Sequence, residues 1–273
     1  MMHRNTARAL LVLAAALTAS SGVLAQAADA AASPFTANVA LTSNYKFRGQ
    51  DQDMLGKNGF AKTSAFKPAI QGGFDYAAAS GWYVGNANSS VNWLSGNSIE
   101  SDLYGGYKFK AGLFDLDVGA LTYLYPGNSA GNTTELYGAA TYSNDALGAF
   151  TAKYSTTVSK DYFGYAGNKL GSGLKGTNTG YLNLAYAKEI APKLTFKAAL
   201  GFTRMSSDIR RMGYKSFADY NVGASYDLGS GLALAGAVQG ANQKNAYFMD
   251  SNGTGGTYSL NKARFIATLS KAF

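Results

Sequence analysis

Few residue types carry chemistry, and this chain lacks most of the versatile ones. It has no cysteine, and its single histidine is His3, close to the N-terminus. That removes thiol nucleophiles, thiolate and imidazole metal sites, and the Ser-His and Cys-His relays. Carboxylates, lysines and arginines remain. Asp115 and Asp117 stand two apart and could form a carboxylate-only site, but alternation along a strand explains the pair more simply. The chain is therefore read as a non-enzyme that needs no cofactor and no metal. Its charges have another use. Lys46, Arg48, Asp75, Asp102, Asp115, Asp117, Glu135, Lys153, Lys197, Asp219, Asp227, Lys262 and Arg264 lie on the polar faces of alternating segments. Charges spaced in that way line an aqueous passage and set its ion preference. Arg48 could grip an anionic solute bidentately, or pair with a carboxylate or a lipid phosphate at the outer end of its strand. Arg210, Arg211 and Lys215 form a second basic group, in a loop that faces either lipopolysaccharide phosphates or plain solvent.

The elements that would position these charges have period two. Twelve stretches alternate, from "TANVALTSNYKFRG" to "SLNKARFIATLSKAF". In the first, Val39, Leu41, Tyr45 and Phe47 oppose Asn38, Thr42, Asn44, Lys46 and Arg48. The last four are the most regular; Phe265, Ala267 and Leu269 share an apolar face, opposite Lys262 and Arg264. Lys271 alone intrudes on that face, near its end, where a long side chain can reach the interface. In the third stretch, Trp82 and Trp93 stand near the two ends as girdle residues would. Their opposite parity requires a bulge between them.

The connections alternate in length. Five are tight, at Ser80-Gly81, Ala111-Gly112, Asn144-Asp145, Ala191-Pro192 and Gly229-Ser230-Gly231, with residues suited to hairpin turns. Six are longer loops, at 50–66, 95–98, 126–132, 162–178, 206–216 and 245–257. Tight turns on one side and variable loops on the other predict an all-β, transmembrane antiparallel barrel of about twelve strands. The four prolines avoid strand interiors, as a hydrogen-bonded ladder requires. A soluble sandwich or lipocalin-like barrel would alternate too, but with a richly charged exterior. Here only 15% of residues are charged and 19 are tyrosine.

The first residues read as a leader. Arg4 and Arg8 precede the short apolar run "ALLVLAAAL" and small residues ending at Ala25 and Ala27. The expected organisation is a signal peptide over 1–27 and a barrel over 28–273, exported to a bacterial outer membrane. The formal charge of +8 becomes +6 when Arg4 and Arg8 leave, 22 basic against 16 acidic residues. The excess is spread along the chain, so nucleic acid is not an expected partner. Closing a barrel requires the last strand to pair with the first, because lipid does not tolerate an open edge. Phe273 is then an interface anchor, with Trp82, Trp93 and Phe265. A terminal aromatic on an alternating strand also resembles the signal read by the outer-membrane barrel-assembly machinery.

Two segments carry a family resemblance. "NVALTSNYKFRGQDQ" and "PAIQGGFDYAAASGWYVGNANSSVNWL" resemble the opening half of the TorF-type porin family, conserved outer-membrane proteins of the Gcw type. Matching positions include Leu41, Thr42, Ser43, Tyr45, Phe47, Arg48, Gly49, Pro68, Gln71, Gly72, Gly73, Asp75, Tyr76, Gly81, Tyr83 and Gly85. The insert "QDQDMLGKNGFAKTSAFK" departs from the family and predicts an enlarged first outer loop. The resemblance implies an outer-membrane barrel of pore function. The expectation is a monomeric, narrow, passive channel for small hydrophilic or ionic solutes, weakly anion-preferring, in contact with outer-membrane lipid and lipopolysaccharide. The alternative is a non-conducting structural or surface-binding barrel whose lumen charges pair across a plug.

Overall fold

A computed structural model describes residues 33–55, 66–250 and 257–273; the leader expected over 1–27 lies outside them. Twelve strands form one closed antiparallel barrel. In chain order they are β1 (Phe35–Thr42), β2 (Ala69–Ala77), β3 (Trp82–Ser90), β4 (Ile99–Ala111), β5 (Phe114–Leu124) and β6 (Thr133–Asn144). There follow β7 (Gly148–Thr157), β8 (Gly180–Ala191), β9 (Leu194–Arg204), β10 (Phe217–Gly229), β11 (Leu232–Ala241) and β12 (Arg264–Ala272). Each strand pairs with its sequence neighbours, and β1 closes on β12 with Leu41 opposite Leu269. Beyond the last strand, Phe273 still exchanges backbone hydrogen bonds with Ala37.

Alternation dictates which way each side chain points. Along β12, Phe265, Ala267 and Leu269 are exposed while Arg264, Ile266, Thr268 and Ser270 are buried. Val39, Leu41, Ile70, Phe74, Val84, Leu200, Phe202, Leu234 and Val238 likewise face outward. Such a band of exposed apolar side chains suits lipid and not water. Aromatic residues collect at its tight-turn end. Phe35 packs on Tyr76 at 4.8 Å, Trp82 on Tyr107 at 5.0 Å, Phe114 on Tyr142 at 6.2 Å and Phe150 on Tyr186 at 4.8 Å. These cross-strand pairs form a girdle around one rim. The turns there are short enough to need positive φ. At Gly81, with φ of 100°, an added Cβ would lie 2.4 Å from the Lys108 carbonyl oxygen.

Two expectations about strand ends are corrected. The first strand stops at Thr42 rather than running through Arg48. Tyr45 and Phe47 are therefore not lipid-facing; both are buried inside the barrel. The third strand stops at Ser90 and pairs with both neighbours without a register shift. No bulge brings Trp93 onto the face of Trp82. Trp93 lies past the strand and packs edge-on against Tyr125 at 5.0 Å, among interior residues.

Candidate functional site

The lumen is divided by the first loop. Past Thr42 the chain leaves the wall and turns inward as a two-stranded ribbon, Lys46–Phe47 against Gln50–Asp51. Arg48 and Gly49 make its tip, with φ of 47° and 75°. An added Cβ on Gly49 would come within 2.6 Å of the Gly240 carbonyl oxygen and 2.8 Å of the Asp219 Cβ. Only glycine lets the tip seat against β10 and β11 in this way. Backbone bonds tie the loop down, with the N–H of Asp51 donating to Leu260, that of Gln52 to Tyr45 and that of Met54 to Asn92.

The ribbon's charges are buried and paired. The Arg48 guanidinium reaches Glu135 on β6 through both carboxylate oxygens, at 2.6 and 2.9 Å. It also lies 4.1 Å above the Tyr181 ring of β8. Asp51 sits between Lys46 at 2.9 Å and Arg264 of β12 at 3.0 Å. Lys46 further donates to the carbonyls of Gly49 and Leu260. Charges removed from water in this way are costly unless partnered, so these pairs anchor the ribbon to the barrel wall. Burial still pushes the Lys46 amine down to about 8, with Asp51 opposing the shift. Lys67, 3.8 Å from the Tyr258 ring, is pushed down to about 8 for the same reason.

Around the ribbon the outer mouth is packed. Phe47, Tyr123 and Phe163 meet with centroids 4.8 to 5.4 Å apart. Glu100, buried at the outer end of β4, accepts from the Tyr45 hydroxyl at 2.6 Å and the Tyr125 hydroxyl at 2.5 Å. Asp102 lies two residues deeper, with its Oδ1 unpartnered among the described residues. Asp219 accepts from the Tyr181 hydroxyl at 3.2 Å.

The inner half differs. There Asp117 accepts from the Tyr83 hydroxyl at 2.6 Å, and Tyr83 also bonds Tyr137. Lys108 lies 4.7 Å from the Tyr83 ring centre and Lys153 3.8 Å from that of Tyr137. Asp75 accepts from the Tyr104 hydroxyl at 2.5 Å. Lys153, Lys197 and Asn183 keep part of their surface accessible. Among the described residues no ion pair holds Lys108, Lys153 or Lys197.

Of the residues expected to line a pore, the fold brings Arg48 to Glu135, and Lys46 to Arg264 through Asp51. Asp75, Asp102, Asp117, Lys153, Lys197 and Asp219 lie on the inner wall. Three sit at the rims. Asp115 pairs with Lys110 at 2.7 Å on the turn side, apart from Asp117. Asp227 accepts from the Gly229 N–H at 2.7 Å in its turn. Lys262 is exposed in the loop before β12. Trp82, Phe265 and Phe273 face outward, whereas Trp93 faces the interior. Sequence reasoning missed Asp51, Glu100 and the tyrosines of the outer loops as members of the site. The insert after "FRG" predicts an enlarged first loop, of which residues 56–65 lie outside the described residues, and nothing in its sequence signals that Gln50 and Asp51 pair with Lys46 and Phe47 inside the barrel.

Comparison with known proteins agrees with this architecture. No curated protein matches the sequence. A solved KdgM porin matches with a TM-score of 0.54 and 10% identity, over 87% of this chain and 99% of that one. The NanC porin matches with a TM-score of 0.52 and 13% identity, over 88% and 98%. A KdgM porin in complex with disordered oligogalacturonate matches at 0.52 and 10%, over 88% and 98%. At these identities the likeness is one of fold, a closed barrel of the outer-membrane porin kind. Residues 26–273 match the family model described as "Bacterial protein of unknown function (Gcw_chp)", and the chain belongs to that family.

Proposed function

We propose that this member of the family is a narrow passive channel of the bacterial outer membrane for small hydrophilic solutes and ions. In this reading the inward ribbon is its constriction. The observation that carries it is the inner half of the lumen. Lys153, Lys197 and Asn183 keep accessible surface there instead of packing into an apolar core. Barrels of about eight strands are filled by their own side chains, and wide aqueous channels appear at roughly 16–18. Twelve strands leave a narrow lumen, so a single ribbon can control it. Lys108, Lys153 and Lys197 against Asp75 and Asp117 support a weak preference for anions. The oligogalacturonate bound by one KdgM porin is an anionic solute of that protein, and it makes anionic sugars reasonable first probes.

The reading includes export by a cleaved leader, function as a monomer, contact with lipid and lipopolysaccharide, and delivery of the C-terminal strand to the barrel-assembly machinery. A second reading has its own observation. Lys46 and Asp51 have fully buried, mutually paired side chains, as a permanent plug would have. Swelling of proteoliposomes in neutral and anionic solutes of graded size separates the two. Size-limited swelling, faster than in protein-free vesicles, is expected of the channel. No swelling from protein shown to be folded would favour the plugged, binding or structural barrel.

A further inference from the structure

The lipid-facing side of β9 ends on a charge. Leu200, Phe202 and Arg204 are exposed along it, while Gly201 and Thr203 between them are buried. Arg204 therefore points outward, as the apolar band does. A cation on that face is costly at mid-membrane and nearly free of cost at the interface. Phe202 thus marks the outer edge of the band, and Arg204 stands at the level of lipid head groups. Arg204 is level with Gly180 of β8 and Thr156 of β7, so three strand ends meet there. Val158 and Leu182 beside them are exposed too. Above this edge the loops 158–179 and 205–216 are cationic. Lys160, Lys169, Lys175, Arg210, Arg211 and Lys215 are exposed in them. The same loops hold two carboxylates, and both are engaged. Asp208 pairs with Arg211, and Asp161 accepts from the Lys169 N–H at 3.2 Å. Loops 91–98 and 125–132, on the flank of β3 to β6, contain no charged residue. The positive charge therefore lies on one flank of the barrel.

Between the two loops lies a surface hollow of about 400 Å³, with Lys160, Lys175, Asn178, Ser207 and Asp208 in its lining. Its frame is tied together. The Ser206 hydroxyl donates to the Lys175 carbonyl at 3.0 Å, the Lys175 N–H to Asp208 at 2.8 Å, and the Gly176 N–H to the Lys160 carbonyl at 2.7 Å. Loops already held in place lose little freedom when a ligand arrives. Among the described residues no ion pair holds Lys160, Lys175 or Arg204, and all three are exposed. Arginine grips phosphate oxygens in pairs, and lysines add charge. Basic pockets beside membrane-spanning elements hold lipid head groups in this way. A soluble anion would match the cations but would leave the apolar edge below them without a use. We propose that this flank binds the phosphorylated head group of lipid A, the lipid portion of lipopolysaccharide. Arg204, Lys160 and Lys175 hold its phosphates, and Val158, Leu182 and Phe202 pack against its acyl chains. The site rests on the outer-membrane placement of the barrel and not on conduction; a non-conducting barrel would hold it equally.

The refolded mature barrel, in detergent micelles with EDTA present, is titrated with bisphosphorylated lipid A and with lipid A stripped of its phosphates. Native mass spectrometry counts the bound lipid, and calorimetry with inorganic phosphate covers the free anion. The bisphosphorylated lipid should bind at a defined stoichiometry and about tenfold or more tighter than the stripped one. That comparison uses the unaltered protein and needs no variant. Arg204→Ser with Lys160→Ser and Lys175→Ser should weaken binding by about tenfold or more, with the barrel still folded by circular dichroism. Lys110→Ser with Lys188→Ser and Lys193→Ser removes the same charge from the opposite rim and should leave binding unchanged. Equal binding of the stripped lipid, or equal loss in the two triple variants, would overturn the site. Inorganic phosphate held by these residues more tightly than lipid A would overturn the lipid as its ligand. In bilayers containing brominated lipid, quenched Trp82 together with no lipid A binding would remove the site and leave the membrane placement standing. Unquenched Trp82 would overturn both.

Discussion

Arg48 ties the ribbon to the barrel wall. It sits at the tip of a ribbon, at a positive φ, with its guanidinium buried against Glu135 and Tyr181. A buried charge robbed of its partner is costly, so Glu135→Ala should destabilise the folded barrel by about 3–5 kcal/mol. Arg48→Ala combined with Glu135→Ala should cost less than Glu135→Ala alone. Reversible denaturant unfolding of the four proteins tests this; simple additivity would show that the two side chains do not depend on each other. Lys46 makes a prediction about pH. Its amine is held near 8 in the fold and stands at the ordinary 10.5 when unfolded. Between those values the unfolded chain carries a proton that the folded chain has released, so stability rises with pH through that window. Below it both states are protonated and the contribution is flat. Lys67 shifts in the same direction. Unfolding measured from pH 7.5 to 9.5 should therefore rise less steeply in Lys46→Met than in the unaltered protein. Identical slopes would mean that Lys46 is not buried as described.

Strands were the most legible level. A period of two, five tight turns and a polar-to-apolar alternation fixed the twelve barrel strands, and the register of β8 to β12 follows the alternation read from their residues except beside two tight turns, where it shifts between Glu189 and Ala191 and between Asp227 and Gly229. The errors fell where alternation continues past the wall. "NYKFRG" keeps the alternating pattern of β1, yet Ser43 and Asn44 turn the chain inward, and the apolar Tyr45 and Phe47 find a protein interior instead of lipid. Period alone cannot distinguish these two apolar surroundings. The same ambiguity misplaced Trp93, whose aromatic character suits a girdle or a packed mouth equally. Reconstitution in bilayers containing brominated lipids separates the two tryptophans. Fluorescence should be strongly quenched when Trp82 is the sole emitter, and much less when Trp93 is. Equal quenching would return Trp93 to the lipid face and contradict its placement inside the barrel.

At the scale of the whole molecule, the barrel is asymmetric along its axis. The loop end is packed with tyrosines, a ribbon and buried ion pairs, while on the inner wall Lys108, Lys153 and Lys197 have no ion pair among the described residues. The pairings were not readable from sequence, since they join residues as distant as Asp51 and Arg264. The charge on the inner wall was readable, because alternation alone puts Lys153 and Lys197 there. If those lysines set the ion preference, Lys153→Gln with Lys197→Gln should move the reversal potential in a salt gradient toward cation preference.

The central claim is that the ribbon governs passage, and single-channel recording in planar bilayers tests it most directly. The unaltered protein should give small conductance steps, and the Arg48→Ala, Glu135→Ala double variant, which frees the ribbon tip, should give larger or more frequently open ones. Steps of unchanged size and open time in a variant confirmed as folded would contradict the claim that this ribbon is the constriction.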